Sequence, residues 1–375
     1  MKNNNTESLE ILQDLKPNGK ERPWRPKKVR SLVIADSFKR LGEDRRAHWI
    51  RYCGTFLEFK TIIKTGERFL SKANFCRERL CPMCQWRRSL RVFYELSNVM
   101  DEVERRHKNL VPLFLTLTVR NCPADTAELA AALDRIFKGW KKLLDIRKVE
   151  AAVKGWFRAL ELTYNKKTDE FHPHVHALIF VEKSYFKDAY IETAEWVQLW
   201  KVALQLDYDP LCDIRRIRNN KARRKGIAEV AKYTVKDTDF ATREEALTDH
   251  LVSVLSVGLK RRRLYAFGGL LKQIAAKFAE GLADEDLTDA GDGRIRGDVA
   301  TMITRYRFRF GVMNYVREGG MKDEYPRDLT PEEIEDLRKS KKEAHEWFQR
   351  NYKDVVYPIN EERDMFPEEP GEDNA

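Results

Sequence analysis

The stretch GWFRALELTYNKKTDEFHPHVHALIFV (155–181) decides the fold. Two β-rich runs, 155–164 and 172–181, flank the turn-rich segment NKKTDE, which predicts an antiparallel hairpin. Side chains alternate along a strand, so His172, His174 and His176 share one face. The opposite face carries Pro173, Val175 and Ala177, and the run continues as LIFV, so both faces read as largely buried. Three of the chain's seven histidines thus converge on a buried surface, which calls for a metal, an anion or a hydrogen-bonded network. Glu161 lies in the partner run among Ala159, Leu160 and Leu162, where a carboxylate is costly unless it meets a cation. Two imidazoles and one carboxylate leave open positions on a divalent ion, as metal-assisted phosphoryl chemistry requires.

Outward from the hairpin, PLFLTLTV (112–119) alternates as a strand, and ADTAELAAALDRIFKGWKKLLD (124–145) reads as a helix with Asp125 or Thr126 as N-cap. ETAEWVQLWKVALQL (192–206) is helical, CDIRRI is a short strand, and residues 222–237 form another helix. Strand–helix–strand–strand–helix–strand–helix is an α+β pattern on an antiparallel sheet. Before it, WIRYCGTFLEF offers short strands, and Leu90, Phe93, Leu96, Met100 and Val103 recur at helical spacing. Beyond it, helices are expected near 243–260 and 270–282, with a late strand at 305–316. Residues 1–45 read as a mobile arm, and 359–375, with seven acids and one Arg, as an acidic tail.

A chain of 375 residues has room for two to three domains and a sizeable core. Its net charge of +10 and pI near 9.1 favour a polyanionic partner. No run of apolar residues is long enough to cross a membrane, and MKNNNTESLE lacks a secretory signal, so a cytoplasmic protein with reduced thiols is expected. FCRERLCPMCQWRR presents Cys76, Cys81 and Cys84, the last two in C-x-x-C spacing. Such a knuckle turns two thiolates to one point, and tetrahedral zinc then asks for four ligands. Cys53 is the natural fourth, with His48 in reserve; four protein ligands make the site structural. Cys122 and Cys212 read as ordinary small apolar residues.

DIRRIRNNKARRK (213–225) carries seven basic residues against one acid, which suits a phosphate backbone. GIAEVAKYTVKDTD follows, placing Glu229 and Tyr233 four apart, on one face if helical. A tyrosine hydroxyl attacks only when its proton is removed or its phenolate stabilised, which a metal, a carboxylate and Lys232 and Lys236 can supply.

In combination these blocks resemble the plasmid rolling-circle replication initiators of the HUH endonuclease group, in the single-tyrosine branch of Gram-positive plasmids. FLTLTVRNC (114–122), FHPHVHALIF (171–180) and EVAKYTVKDTD (229–239) carry the likeness in order, with FCRERLCPMCQWRR and RRRLYAFGGLLK (261–272) in support. The resemblance spans roughly residues 48–275. It implies an HUH fold with a ferredoxin-like βαββαβ core, flanking helices and a small zinc-binding module. The implied units are a cysteine-rich module and helix at 46–108, a nicking domain at 109–240 and a C-terminal helical or mixed region at 241–358. His174 and His176 match ligands of Mn²⁺ or Mg²⁺, with Glu161 where the family places its acidic ligand. Tyr233 matches the nucleophile and Glu229 a general base; His172 lies one step outside, as a supporting or substrate-contacting residue. Cys53, Cys76, Cys81 and Cys84 would hold Zn²⁺. Arg215, Arg216, Arg218, Lys221, Arg223, Arg224, Lys232 and Lys236 would meet DNA. The implied partners are the plasmid double-strand origin, a host helicase and a DNA polymerase, with room for a homo-oligomer and none for a membrane. An HUH relaxase, a single-tyrosine transposase and a non-catalytic zinc-stabilised DNA-binding protein share much of the pattern. H-P-H-V-H-A-L alone also fits a histidine-triad nucleotide hydrolase.

Overall fold

A computed structural model describes residues 9–16, 18–232, 234–279, 287–288 and 300–318. The first third holds α1 (Trp24–Arg40), α2 (Asp44–Tyr52), β1 (Phe56–Ile62), β2 (Arg68–Ala73) and α3 (Pro82–Arg106). Next come β3 (Leu110–Thr118), β4 (Cys122–Pro123), α4 (Thr126–Leu144), α5 (Arg147–Ala152), β5 (Val153–Asn165) and β6 (Glu170–Glu182). α6 (Tyr185–Asp188), α7 (Thr193–Leu204), β7 (Cys212–Arg216), α8 (Asn220–Val230) and α9 (Asp237–Phe240) follow. α10 (Glu245–Gly258), β8 (Tyr265–Gly269), α11 (Leu270–Ala279), β9 (Thr301–Arg309) and β10 (Asn314–Arg317) complete the described elements.

β5 and β6 form the expected antiparallel hairpin, and it is the middle of the larger sheet, ordered β7-β3-β6-β5-β8 with every pairing antiparallel. β4 pairs with the outer end of β6. Period-two alternation sorts the strands onto two helical layers. Leu113, Leu115, Leu117, Val175, Ala177, Ile179 and Val181 face α4 and α7, where Trp140, Trp196 and Trp200 fill the gap. An indole of this kind removes about 200 Å² from water, roughly 5 kcal/mol of apolar burial at about 25 cal/mol per Å². Phe114, Phe157, Leu178 and Phe180 face the other way, against α3, α8 and α11. Thr116, Glu161, His174 and His176 continue this second alternation beyond its apolar half.

YAFGG serves the sheet edge. A Cβ on Gly268 would lie 2.1–2.5 Å from the Trp156 indole, so only glycine lets β8 close on β5 there.

The smaller sheet runs β10-β9-β1-β2, and its Phe59, Tyr306, Phe308 and Tyr315 pack with Trp24 and Trp86. Four local expectations are corrected here. Part of the supposed mobile arm is α1, because Trp24, Ile34, Ala35 and Phe38 bury one stripe of it. Its Pro26 sits in the first turn, where no amide partner is required. WIRY belongs to α2, which buries Ala47 and Ile50, and the strand begins only at Phe56. The late strand is the hairpin β9–β10, turned through Gly311 and Met313. The helix expected over 222–237 ends at Val230. Tyr233, most of the expected 241–358 region beyond Ala279 and the acidic stretch 359–375 lie outside the described residues.

Candidate active site

The registers of two strand pairs assemble the histidine site. Across β5–β6, Glu161 is opposite His174 and Ala159 opposite His176; across β3–β6, Thr116 is opposite His176. All four polar side chains therefore rise from one face of three neighbouring strands. His176 Nε2 stands 2.7 Å from Glu161 Oε2, His174 Nε2 stands 3.7 Å from the same oxygen, and His176 Nδ1 is 3.1 Å from Thr116 Oγ1. The His174 ring packs edge-on against both His172 and His176.

Burial sets the charges. Glu161 and His176 are each only 8% exposed. Burial alone would raise the Glu161 carboxyl, but its hydrogen bond to His176 and the nearby charges of His176, His174 and Lys232 hold it below the usual carboxylate range. Burial lowers His174 to about 4 despite Glu161, so this imidazole is neutral near pH 7. Burial also lowers His172. The Nδ1 of His174 is buried without a hydrogen-bond partner among the described residues, while its Nε2 faces Glu161. Two imidazole nitrogens and a carboxylate oxygen, all within 4.8 Å of one another, suit a divalent first-row ion or Mg²⁺.

The chain returns to this site after α8. Leu162 donates its amide to the Thr234 carbonyl at 2.6 Å, and Leu162 bridges Val235 in parallel. β-branched Thr234 and Val235 thus leave the helix for the sheet, alongside the residue after Glu161. Glu229 occupies the last turn of α8, half-buried, with Lys232 Nζ 2.8 Å away. The helix that bears Glu229 stops at Val230.

Two polar residues escaped sequence reading, Thr116 at the site and Asp237 in the segment that follows it. Thr116 carries a local signal, since it alternates in phase with Phe114 toward the histidine face. Asp237 has no local signal: it is buried at the start of α9 and bound by Lys27 at 2.9 Å and Arg30 at 3.3 Å, both from α1.

The cysteines form a second centre. Cys53 follows α2, Cys76 follows β2, and Cys81 and Cys84 open α3, whose Pro82 suits a first turn. Their sulfurs all lie within 4.8 Å, with Cys53–Cys84 at 3.5 Å and Cys76–Cys84 at 3.7 Å. Disulfide sulfurs sit about 2 Å apart, whereas four sulfurs around zinc at about 2.3 Å lie roughly 3.8 Å apart. The donor set therefore fits a tetrahedral ion. Backbone amides of Cys76 and Arg77 point at Cys53 and Cys84 sulfurs, and Gly54 turns the chain at φ +63. Buried Lys28 donates to the Cys53 carbonyl at 2.8 Å and places a cation beside the thiols. His48, the reserve ligand, is exposed on α2. Cys122 and Cys212 lie in β4 and β7, outside this group.

The basic stretch divides. Arg215, Arg216, Arg218, Lys221, Arg224, Lys232 and Lys236 are exposed, although Arg215 pairs with Asp213 and Arg216 stacks over Phe186. Arg223 instead braces α8 on α3 through Asp101 and Glu104. Among the described residues no helix is long and apolar enough to cross a membrane.

A sheet with two imidazoles and a carboxylate at its polar end, on a basic chain with four convergent thiols, defines an α+β protein with two candidate metal centres. The chain belongs to the replication protein family, whose model matches residues 67–316. It is 39% identical over 288 residues to "Protein rep" of Bacillus amyloliquefaciens, covering 70% of this chain and 84% of that one. It is 37% identical over 294 residues to "Protein rep" of Lactiplantibacillus plantarum, covering 76% and 90% respectively. With "Protein rep" of Lentilactobacillus hilgardii the figures are 34% over 315 residues, 82% and 99%. No solved structure matches the chain.

Proposed function

We propose that this protein is a plasmid replication initiator that nicks one strand of its double-strand origin by tyrosine transesterification. The observation that carries the reading is the convergence of Glu161, His174 and His176 in a replication protein. The strand order β7-β3-β6-β5 around a β-α-β-β-α-β run supports a ferredoxin-like core of the HUH type. In this reading residues 109–240 form the nicking domain and 46–108 the zinc-bearing module. Family membership favours replication over a relaxase or transposase, and the Glu161 partner favours a metal site over a histidine-triad hydrolase.

His174, His176 and Glu161 would hold Mn²⁺ or Mg²⁺, which when bound polarises a phosphodiester and offsets charge developing on its oxygens. Tyr233 attacks phosphorus in single-stranded DNA; the bond to the 3′ oxygen breaks, leaving a 5′-phosphotyrosine and a 3′-OH primer. A host polymerase and helicase would extend and unwind from that end. At the second cleavage Glu229 accepts a proton from water, so the protein is released rather than recycled. Its ion pair with Lys232 holds the carboxylate beside the segment that returns to β5. The exposed arginines and lysines of 215–236 would hold the DNA backbone. Cys53, Cys76, Cys81 and Cys84 would bind Zn²⁺ as a structural ion.

Supercoiled and single-stranded origin DNA, incubated with the protein with and without Mn²⁺, tests this. Nicking and a denaturation-resistant adduct that require both the ion and Tyr233 are expected. An adduct that persists in Tyr233→Phe would overturn the nucleophile, and cleavage undiminished by chelation would overturn the metal site.

A further inference from the structure

In α2, buried Ala47 and Ile50 anchor the helix, and the chain then passes into Cys53 of the thiol cluster. Arg45, His48, Trp49 and Tyr52 recur at i, i+3, i+4 and i+7, so they form one stripe. Aromatics at this spacing ordinarily mark a buried face, yet here the stripe is turned outward. Trp49 is 41% and Tyr52 46% exposed, and Phe310 from the β9–β10 turn joins them at 40%. The rings are ordered against one another: the Arg45 guanidinium stacks 4.5 Å from the Trp49 ring, His48 lies 4.7 Å from Tyr52, and Tyr52 meets Phe310 edge-on at 6.1 Å. Thr55 and Asn74 both hydrogen-bond the Tyr52 carbonyl, which holds the C-terminal end of the stripe in place. Arg45 forms no ion pair among the described residues, and the nearby acids, Glu43 at the N-cap and Asp44 in the first turn, meet the helix dipole. α2 also precedes residues 67–316, so the family match does not include it.

We propose that this stripe of α2 is a stacking platform for single-stranded DNA, an inference that rests on the origin-nicking reading. Flat aromatic faces accept any base once it is unstacked from a duplex, and a guanidinium beside them meets both phosphate and ring. Trp49 and Tyr52 are about 4.5 Å apart along the helix axis, so one strand can lay successive bases on them. The net charge of +10 supplies the matching field for a polyanion. The Cys53 anchor fixes the platform relative to the rest of the fold.

The test uses the full, metal-loaded chain and a fluorescein-labelled 30-nucleotide strand in an anisotropy titration. Trp49→Ala/Tyr52→Ala is expected to bind about 10-fold or more weakly, while Trp49→Phe/Tyr52→Phe, which keeps the rings, binds as the parent does. Cleavage of a short oligonucleotide spanning only the nick site, at saturating concentration, is expected to be unchanged in both. Equal affinity of the alanine variant for the 30-mer would overturn the platform. So would a change confined to the sedimentation behaviour of the protein alone, which would make the stripe an interface between copies of this chain. A parent protein that binds the strand and loses affinity in the alanine variant, but never nicks, would leave the platform standing and sink the nicking reading. A parent that binds no DNA would sink both.

Discussion

Thr116 Oγ1 stands 3.1 Å from Nδ1 of His176, directly across the β3–β6 pair, while the other nitrogen of the same ring faces Glu161 at 2.7 Å. The imidazole is thus gripped at both ends by neighbouring strands. A hydroxyl at Nδ1 fixes the ring's orientation and leaves Nε2 for the ligand side, the arrangement that tunes metal-binding histidines generally.

Thr116→Val keeps the β-branched shape and removes the hydroxyl. Mn²⁺ affinity, read by electron paramagnetic resonance of the free ion, should fall about 10-fold or more. Thr116→Ser should restore most of it. A valine variant that binds Mn²⁺ as tightly as the parent would remove Thr116 from the site.

The same site makes stability depend on pH. His174 has its pKa lowered from 6.5 to about 4 in the fold, so between those values the unfolded chain binds more protons. Stability should therefore fall as pH drops from 6.5 toward 4, and the lowered Glu161 carboxyl adds loss in the same direction at the acid end. Urea unfolding of the metal-free protein at a series of pH values reads this. His174→Asn should flatten the upper part of the curve; an unchanged slope would count against the buried neutral imidazole.

Asp237 is the shared anion of Lys27 and Arg30 in a buried triad. Asp237→Asn removes the carboxylate that both buried cations share, and breaking a buried pair in this way costs about 3–5 kcal/mol. The urea midpoint should drop accordingly. Lys27→Met/Arg30→Met/Asp237→Leu, which removes these three charges together, should recover much of the loss. A triple variant no better than Asp237→Asn would show that the triad does more than balance charge.

The cysteine centre predicts one zinc ion per chain, retained through purification and counted by native mass spectrometry. Cys84→Ser or a strong chelator should remove it and lower the melting temperature by about 10 °C, since a structural ion contributes several kcal/mol to folding. A chain that carries no zinc and melts at the same temperature in chelator would refute the centre.

What could be read from sequence was whatever is encoded within one element or between neighbours. The β5–β6 hairpin declares itself by alternation across a turn. Asp125 caps α4 through the amides of Ala127 and Glu128, as its position before an apolar run suggests. Cys53 was reachable because tetrahedral chemistry demands a fourth thiol. The failures share a different cause. α1 looks polar because its Lys27, Lys28 and Arg30 are buried against partners far along the chain. The small sheet joins Phe56 to Arg307, a pairing no local pattern announces. α8 would continue past Val230 on propensity alone, but the bond from Leu162 to Thr234 takes the chain into the sheet instead.

The β6 histidines and the segment that returns after α8 are held by different means. His174 and His176 lie on β6, which is paired along its length with β3 on one side and β5 on the other. Their amides can exchange with solvent deuterium only when the whole sheet comes apart. The Thr234–Val235 segment meets β5 through one bridge and one backbone bond, but Val235 is fully buried and Asp237, two residues on, is tied to Lys27 and Arg30, so side-chain burial rather than a ladder holds it. Exchange protection at the histidine face therefore reports the integrity of the sheet, while protection at Val235 reports the packing of one apolar side chain and one buried charge.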